Sequence, residues 1–563
     1  MSRIEISRLR LVSGAVFLFA FVLIFRLYVL QIENHEALAL KASDNSAGGR
    51  FDRGKIFFSR KDGTEVPAAA VRDGFALAIN PSSLKNPERA YRALSQVVDI
   101  DKNDFLSKAA KSGDPYEEIL GRLDDRAAEG VKELAIPGVL LPPVGVRVYP
   151  AGKLGSHVVG FVGSDGQSVS GRYGLERYYD YLLVRDKRPL FENSLAEIFK
   201  SAKRLSSAGE ADIVTSIEPD VQAALEKELA ELSARYLSES SGGMVLDPQT
   251  GEIVAMAAYP TFDPNLYGRE KDSGVFLNPL VENIFEFGSI MKPLTVAVGL
   301  DTAAISESST FDDKGELMVD GELISNVGEP RGLSTIQDIL NYSLNTGAAF
   351  MVEQVGYETF GRYLREFGFG EETGIDLPGE VAGLVGNLKS PRKLEYLTAS
   401  FGQGIAVTPI GMARALSALA NGGYLVRPHL ARSTVSASGL TAALSYDEDK
   451  KRVIKESTAS KVTAMLIRVV DEALLGGKAK MARYRIAAKT GTAQIAKTDD
   501  RGYYPDRFLH SFFGYFPAEK PRFLILMYTV WPRGVSFASN TLTEPFMRMA
   551  KFLIGFYNIP PDR

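Results

Sequence analysis

Gly288-Ser289-Ile290-Met291-Lys292 opens an apolar run that continues through Val298 and reads as the start of a buried helix. Residues three apart on a helix share a face, so the Lys292 amine can reach the Ser289 hydroxyl. Serine alone is a weak nucleophile. A lysine desolvated among Phe287, Leu294 and their neighbours loses affinity for its proton and can act as the neutral base that serine needs. The bland alternative is a surface Ser-Lys pair on an amphipathic helix, and Ser82-Ser83-Leu84-Lys85 offers one with no companion motif.

Two further motifs follow, Ser343-Leu344-Asn345 and Lys489-Thr490-Gly491-Thr492. Ser343 can relay a proton toward a leaving amine, and Asn345 can hydrogen-bond a peptide backbone. Helix capping is the competing role for both. The third motif sits in the short apolar run Ile486-Ala487-Ala488, which can form a strand edge beside a cleft. There Thr490 and Thr492 would hold a carboxylate, Lys489 would supply positive potential, and Gly491 would let substrate approach the backbone. An ordinary strand end is the alternative.

The three motifs in this order resemble the signature of penicillin-binding proteins and serine β-lactamases. Flanking stretches narrow the resemblance to class B penicillin-binding proteins: Gly243 to Pro260 (GMVLDPQTGEIVAMAAYP), Ser400 to Pro409 (SFGQGIAVTP) and Lys489 to Gln494 (KTGTAQ). Upstream, Arg53-Gly54-Lys55-Ile56, Arg147-Val148-Tyr149-Pro150 and Gly174-Leu175-Glu176 are similar to that class's N-terminal pedestal. Phe287, Ile290 and Leu344 depart from the family's usual proline, threonine and serine, and Ser59-Arg60 from its usual Asp-Arg. None of these removes a catalytic group.

The resemblance implies an α/β transpeptidase domain, a five-stranded antiparallel sheet with helices on both faces, set on an elongated α+β pedestal with one transmembrane helix. It implies a serine-type D-Ala-D-Ala transpeptidase that cross-links peptidoglycan stem peptides through an acyl-enzyme, is inhibited by β-lactams, and works beside a SEDS-type glycan polymerase in the membrane. Catalysis would fall to Ser289, Lys292, Ser343, Asn345 and Lys489, substrate binding to Thr490, Gly491 and Thr492, and the oxyanion hole to the backbone N–H groups of Ser289 and Thr492. No metal or organic cofactor is implied. A DD-carboxypeptidase or β-lactamase would pass the same acyl group to water, and a non-catalytic sensor or scaffold would stop at acylation. The short path from Leu377-Pro378-Gly379-Glu380 to Ser400 looks more like the septal type than the elongation type. Nothing between Gln31 and Glu210 suggests a second, glycan-polymerising activity, and the stretch after Phe556 suggests no appended module.

The rest of the chain fits. At 563 residues, 45% hydrophobic and 24% charged, it has room for two or three folded units. A net charge of -4 disfavours nucleic acid as a partner. The absence of cysteine excludes disulfides, thiolate metal sites and a cysteine nucleophile, and the four histidines lie too far apart in sequence to suggest a local metal cluster. From Leu11 to Leu30 the sequence is apolar except for Arg26, long enough to span a bilayer. Arg3, Arg8 and Arg10 before it and Glu33 and Glu36 after it place the N-terminus in the cytoplasm and the rest outside the inner membrane. A cleaved signal peptide ending near Ala37-Leu38-Ala39 is the alternative.

The expected organisation is a tail (1–10), a span (11–30), a pedestal (31–208) and a catalytic domain (209–563). Val221, Leu225, Leu229 and Leu232 mark an amphipathic helix after Pro219. Gly243–Leu246 and Glu252–Met256 read as a hairpin, helical stretches dominate from Gly288 to about Leu475, and strands return at 485–493, 508–516 and 522–531 before a last amphipathic segment from 541 to 556. Two early and three late strands suggest one largely antiparallel sheet.

Overall fold

The computed structural model describes residues 52–111, 113–164, 169–185, 210–436, 438–497 and 502–563. The span expected at 11–30 lies outside them, and among the described residues no helix is long and apolar enough to cross a membrane. The described residues form two compact units. One is built on residues 71–146, and the other on 54–70, 147–185 and the described chain from 210 onward.

In the smaller unit, Phe75–Ile79 pairs antiparallel with Glu117–Leu123, and three short helices cover the strands. Each helix begins where a side chain satisfies a free amide: Asn86 accepts from Arg89 N–H, Asp101 from Asp104 N–H, and Asp124 from Ala127 N–H. Leu77, Leu94, Phe105, Leu123 and Val131 fill the core between them. Ser82, Ser83 and Lys85 sit exposed on a turn, as surface residues.

The larger unit is organised by a five-stranded sheet. Helix α1 (Pro219–Tyr236) leads into β1 (Ser240–Leu246) and β2 (Ile253–Tyr259); after a long, mainly helical insertion come β3 (Ala487–Ala496), β4 (Tyr503–Phe516) and β5 (Phe523–Val530). The order is β2-β1-β5-β4-β3, every pair antiparallel. Side chains alternate along each strand, so Ile525 and Met527 face one way and Leu524 and Leu526 the other. Both faces are buried, which is why β5 reads as continuous apolar sequence rather than as an alternation. Val221, Leu225, Leu229 and Leu232 of α1 pack on one face with the final helix, α4 (Thr543–Phe556). The other face meets the insertion, in which α2 (Lys292–Asp301) and α3 (Asn345–Val355) are the helices that matter for chemistry.

The insertion is less purely helical than expected. Small antiparallel pairs form at Thr310–Asp313 with Gly332–Thr335 and at Glu316–Val319 with Glu322–Ser325. These strands are only four residues long and mixed in polarity, too short for period-two alternation to register.

The three pedestal-like motifs converge inside the larger unit. Arg147 Nε donates to Glu176 Oε1 at 2.7 Å, Arg147 Nη1 to the Gly54 carbonyl at 2.8 Å, and Tyr149 O–H to the same carboxylate at 3.2 Å. Arg147 and Glu176 are buried at 2% and 0% side-chain exposure, so each neutralises a charge that water cannot reach. Gly54 is required because a Cβ there would lie 2.3 Å from the Ala211 carbonyl oxygen. Removing one partner of a buried pair strands the other, so Arg147→Ala should destabilise this unit by about 3–5 kcal/mol. The check is a lower thermal midpoint than that of a surface control such as Arg72→Ala.

Candidate active site

Ser289 lies on a short 3-10 turn, Gly288–Met291, that runs directly into α2, whose first residue is Lys292. Side chains at i and i+3 eclipse on such a turn. Lys292 Nζ sits 2.9 Å from Ser289 Oγ, as the sequence spacing leads one to expect. Pro293 follows at a position whose missing N–H costs nothing in the first helical turn.

The second motif meets this pair. Lys292 Nζ lies 2.7 Å from the Ser343 carbonyl oxygen, 3.1 Å from Ser343 Oγ and 2.8 Å from Asn345 Oδ1. The capping alternative fails, since Leu344 occupies the N-cap of α3 and no side chain caps it. Instead Ser343 adopts a left-handed backbone, φ +59°, that turns its carbonyl and hydroxyl to one amine. Asn345 is itself held, Nδ2 donating to the Ser325 carbonyl at 2.9 Å.

The third motif closes the site. β3 is the outer strand of the sheet, and Lys489 Nζ lies 3.3 Å from Ser343 Oγ while donating to the Thr490 carbonyl at 3.0 Å. Thr492 Oγ1 accepts the Ala538 N–H at 3.1 Å, which leaves its O–H to donate. Thr490 and Ser289 are half-buried and face accessible space.

A Cβ on Gly491 would lie 2.4 Å from both the Phe287 carbonyl oxygen and Ser511 Oγ, so the missing side chain makes room for the turn that carries Ser289. Ser511, on β4, donates to the Phe287 carbonyl at 2.8 Å and straps that turn to the sheet. Phe287 is buried, with Tyr528 edge-on at 6.4 Å, and Ile290 and Leu344 are core residues, so the three departures from the family pattern serve packing.

Burial drives the electrostatics. Both amines are inaccessible, Lys292 at 0% and Lys489 at 3% exposure. Desolvation, then the nearby Lys489 charge, hold the Lys292 amine well below the ordinary lysine range. Desolvation brings Lys489 down to about 8. A neutral Lys292 has two N–H donors for the Ser343 carbonyl and Asn345 Oδ1, and one lone pair for the Ser289 hydroxyl. The site can therefore deprotonate a serine beside a cationic lysine.

The described histidines lie elsewhere: His157 bonds the Val275 carbonyl, His429 the Arg427 carbonyl and His510 the Thr541 hydroxyl, while His35 falls outside the described residues. Among the described residues no three His, Cys, Asp or Glu are grouped to hold a metal ion. Residues that sequence reasoning left without a role include Ser511, Glu286 and the loop 400–404. Phe401 of that loop sets its ring 6.0 Å from Lys292 Nζ. The Ser400–Pro409 stretch was a visible signal for the loop, whereas nothing in the sequence singles out Ser511.

Residues 242–550 match the penicillin binding protein transpeptidase domain, and residues 52–187 the penicillin-binding protein dimerisation domain. Stage V sporulation protein D of Bacillus subtilis (strain 168) is 31% identical over 512 residues, an alignment covering 88% of this chain and 77% of that protein. Peptidoglycan D,D-transpeptidase FtsI of Escherichia coli (strain K12) is 28% identical over 481 residues, 84% of this chain and 78% of that one. Among solved structures, penicillin binding protein 3 from Mycobacterium tuberculosis complexed with aztreonam shares the fold, with a TM-score of 0.70 at 24% identity over 91% of this chain and 98% of the other.

Gly491→Ala removes no reactive group but pushes the turn that carries Ser289 off β3. We expect at least a roughly tenfold slower reaction of Ser289 with an acylating reagent, since misplacement of about 1 Å can cost ~100-fold. Adduct formation against time by mass spectrometry on folded protein reads the effect.

Proposed function

The chain belongs to the penicillin-binding protein transpeptidase family, class B, with the dimerisation domain N-terminal to the catalytic one, and from that premise we propose that Ser289 is the nucleophile and Lys292 the base of a peptidoglycan D,D-transpeptidase. The observation that carries the assignment is one fully buried amine within 2.9 Å of a half-exposed serine oxygen, with the second motif's carbonyl and amide occupying its N–H groups.

In this reading a donor stem peptide ending in D-Ala-D-Ala lies along the outer edge of β3, an extended strand being able to extend a sheet. Lys489, Thr490 and Thr492 take its terminal carboxylate, and Asn345 bonds its backbone. Ser289 Oγ attacks the penultimate carbonyl as its proton passes to Lys292 Nζ. The backbone N–H groups of Ser289 and Thr492 receive the developing oxyanion; the close approach of the two segments, where a Cβ at Gly288 would lie 2.7 Å from the Thr492 carbonyl oxygen, supports that pairing. Collapse breaks the peptide bond, and the leaving D-Ala amine takes the proton from Lys292 through the Ser343 hydroxyl. An acceptor amine from a second stem then attacks the ester, its proton returns by the same path to Ser289, and the cross-link forms. A β-lactam presents the same carboxylate and carbonyl and would leave Ser289 acylated. Gly491 belongs to this site through the packing of the nucleophile turn.

The reading extends to the cell. Residues 11–30 would anchor the protein with the N-terminus in the cytoplasm, the pedestal (31–208) and catalytic domain (209–563) would stand outside the membrane, and a SEDS-type polymerase would supply nascent glycan. The short Leu377–Ser400 path favours septal work.

Penicillin should add to wild-type protein and not to folded Ser289→Ala, as intact-mass spectrometry would show; an unmodified Ser289 in folded wild type would sink the assignment. Lys292→Ala should slow acylation by ~100- to 10,000-fold, the usual worth of a general base. The rate should rise with pH as Lys292 loses its proton and fall above about 8 as Lys489 loses the charge that binds the carboxylate. Release of cross-linked dimer from stem peptides separates a transpeptidase from a carboxypeptidase, which yields only hydrolysed stems, and from a sensor, which yields neither.

A further inference from the structure

Three residues before the nucleophile, Glu286 holds a carboxylate that the chemistry above does not use. Its Oε1 accepts the Gly404 N–H at 3.1 Å, and the Tyr503 hydroxyl donates to it from the start of β4, 3.2 Å from Oε1 and 3.0 Å from Oε2. The loop that includes Gly404 is joined to the nucleophile segment residue after residue. Thr295 Oγ1 of α2 donates to the Ser400 carbonyl at 2.7 Å, the Phe401 ring faces Lys292 Nζ, and the Gly288 N–H donates to the Gly402 carbonyl at 3.1 Å. A Cβ on Gly402 would lie 2.3 Å from the Gly288 carbonyl oxygen, so the contact is backbone on backbone. Asn387 Nδ2 fixes the Gly404 carbonyl at 2.6 Å, which leaves the Gly404 N–H aimed at Glu286.

We propose that Glu286 is a positioning residue whose carboxyl group clamps the 400–404 loop and Tyr503 of β4 to the turn that carries Ser289. The clamp has three parts: the nucleophile segment, the loop whose Phe401 shields Lys292, and the strand next to β3. Without it the loop can lift from Gly288, which admits water to Lys292 and frees Ser289 to leave the line of the Lys292 lone pair. Charge-assisted hydrogen bonds are roughly twice as strong as neutral ones, but they do not outweigh the lost hydration of the charge, so the clamp holds while Glu286 is protonated and slackens as it ionises and draws water into the gap. Burial pushes the Glu286 carboxyl up to about 7, partly offset by the Tyr503 hydroxyl and then the Gly404 amide. Among the described residues, the groups that face it are the Tyr503 phenol from β4, itself raised by burial, and the neutral amide of the loop.

The inference rests on Ser289 being the nucleophile, and the experiment separates the two. Rate constants for acylation by a fluorescent penicillin are measured from pH 5.5 to 8.5 for wild type and Glu286→Gln, both confirmed folded by circular dichroism. Taking the wild-type to variant ratio cancels the lysine titrations common to both. We expect the ratio to fall about tenfold as pH rises, with a midpoint near 7, and the midpoint to move higher in Tyr503→Phe, where the carboxylate loses a donor. A flat ratio, or an unmoved midpoint in Tyr503→Phe, overturns the clamp. The second readout is the thermal midpoint of wild type minus that of Glu286→Gln. A carboxyl whose folded pKa is raised makes the folded state the better proton binder, so this difference should fall as pH rises from about 4.5 to 7 and level off above. If penicillin leaves wild type unmodified while the difference still titrates, the assignment of Ser289 has failed and the buried carboxylate stands; if penicillin reacts and the difference is flat, Glu286 is not the clamp.

Discussion

A lysine amine enclosed with no counter-ion bonded to it sets the terms for the rest of the molecule. An ammonium deprived of water costs several kcal/mol unless a carboxylate meets it. Lys292 has none: its bonded partners are a carbonyl, an amide oxygen and two hydroxyls, and the charge that bears on it, Lys489, has the same sign. The cheaper state is the neutral amine, and a neutral amine is a base. Burying the amine in this way gives up stability, as sites kept for chemistry often do.

Holding such an amine requires walls from distant segments, and glycines decide how closely those walls approach. Gly288 abuts Thr492, Gly402 abuts Gly288, and Gly491 abuts Phe287 and Ser511; at each place a methyl group would fall at less than contact distance from backbone. Backbone packed on backbone is stiff, which suits a site where reacting atoms must stay within fractions of an ångström. The left-handed Ser343 adds local strain of about 1–2 kcal/mol, and it is what lets one residue offer both its carbonyl and its hydroxyl to the same lysine.

Much of this was legible in the chain. The sheet announced itself through two early and three late runs, of which β5, buried on both faces, is almost continuously apolar, and α1 through apolar residues spaced three and four apart. The three motifs were legible because the chemistry they suggest restricts residue type, and the fold brings them together. Other features were not legible, for physical reasons. β4 begins at Tyr503, five residues before its apolar run, and Tyr503-Tyr504-Pro505-Asp506-Arg507 carries too much charge to read as strand. The small pairs between 310 and 335 are four-residue strands of mixed polarity, too short to carry a period. At Gly491 sequence shows that a side chain is absent but not that Phe287 and Ser511 close on the space. Ser511 and Glu286 act through contacts with residues up to 224 apart in the chain, and no local pattern encodes such a partner.

Buried charge alone does not mark a functional site, and this chain supplies the control. Arg147 and Glu176 are as inaccessible as Lys292, yet each is met by the other, so they form a strut. Asp376 is buried and raised by desolvation, but it accepts the Leu430 and Ala431 amides and the Tyr179 hydroxyl, and its oxygens are spent on holding backbone. Lys292 differs in two respects. Once its N–H groups are satisfied a lone pair remains, and the group that lone pair meets, Ser289, is itself half-exposed. A buried titratable group becomes chemistry when its unspent valence points at an atom that solvent and substrate can reach, and in this fold three motifs and three close-packed glycines bring about that arrangement.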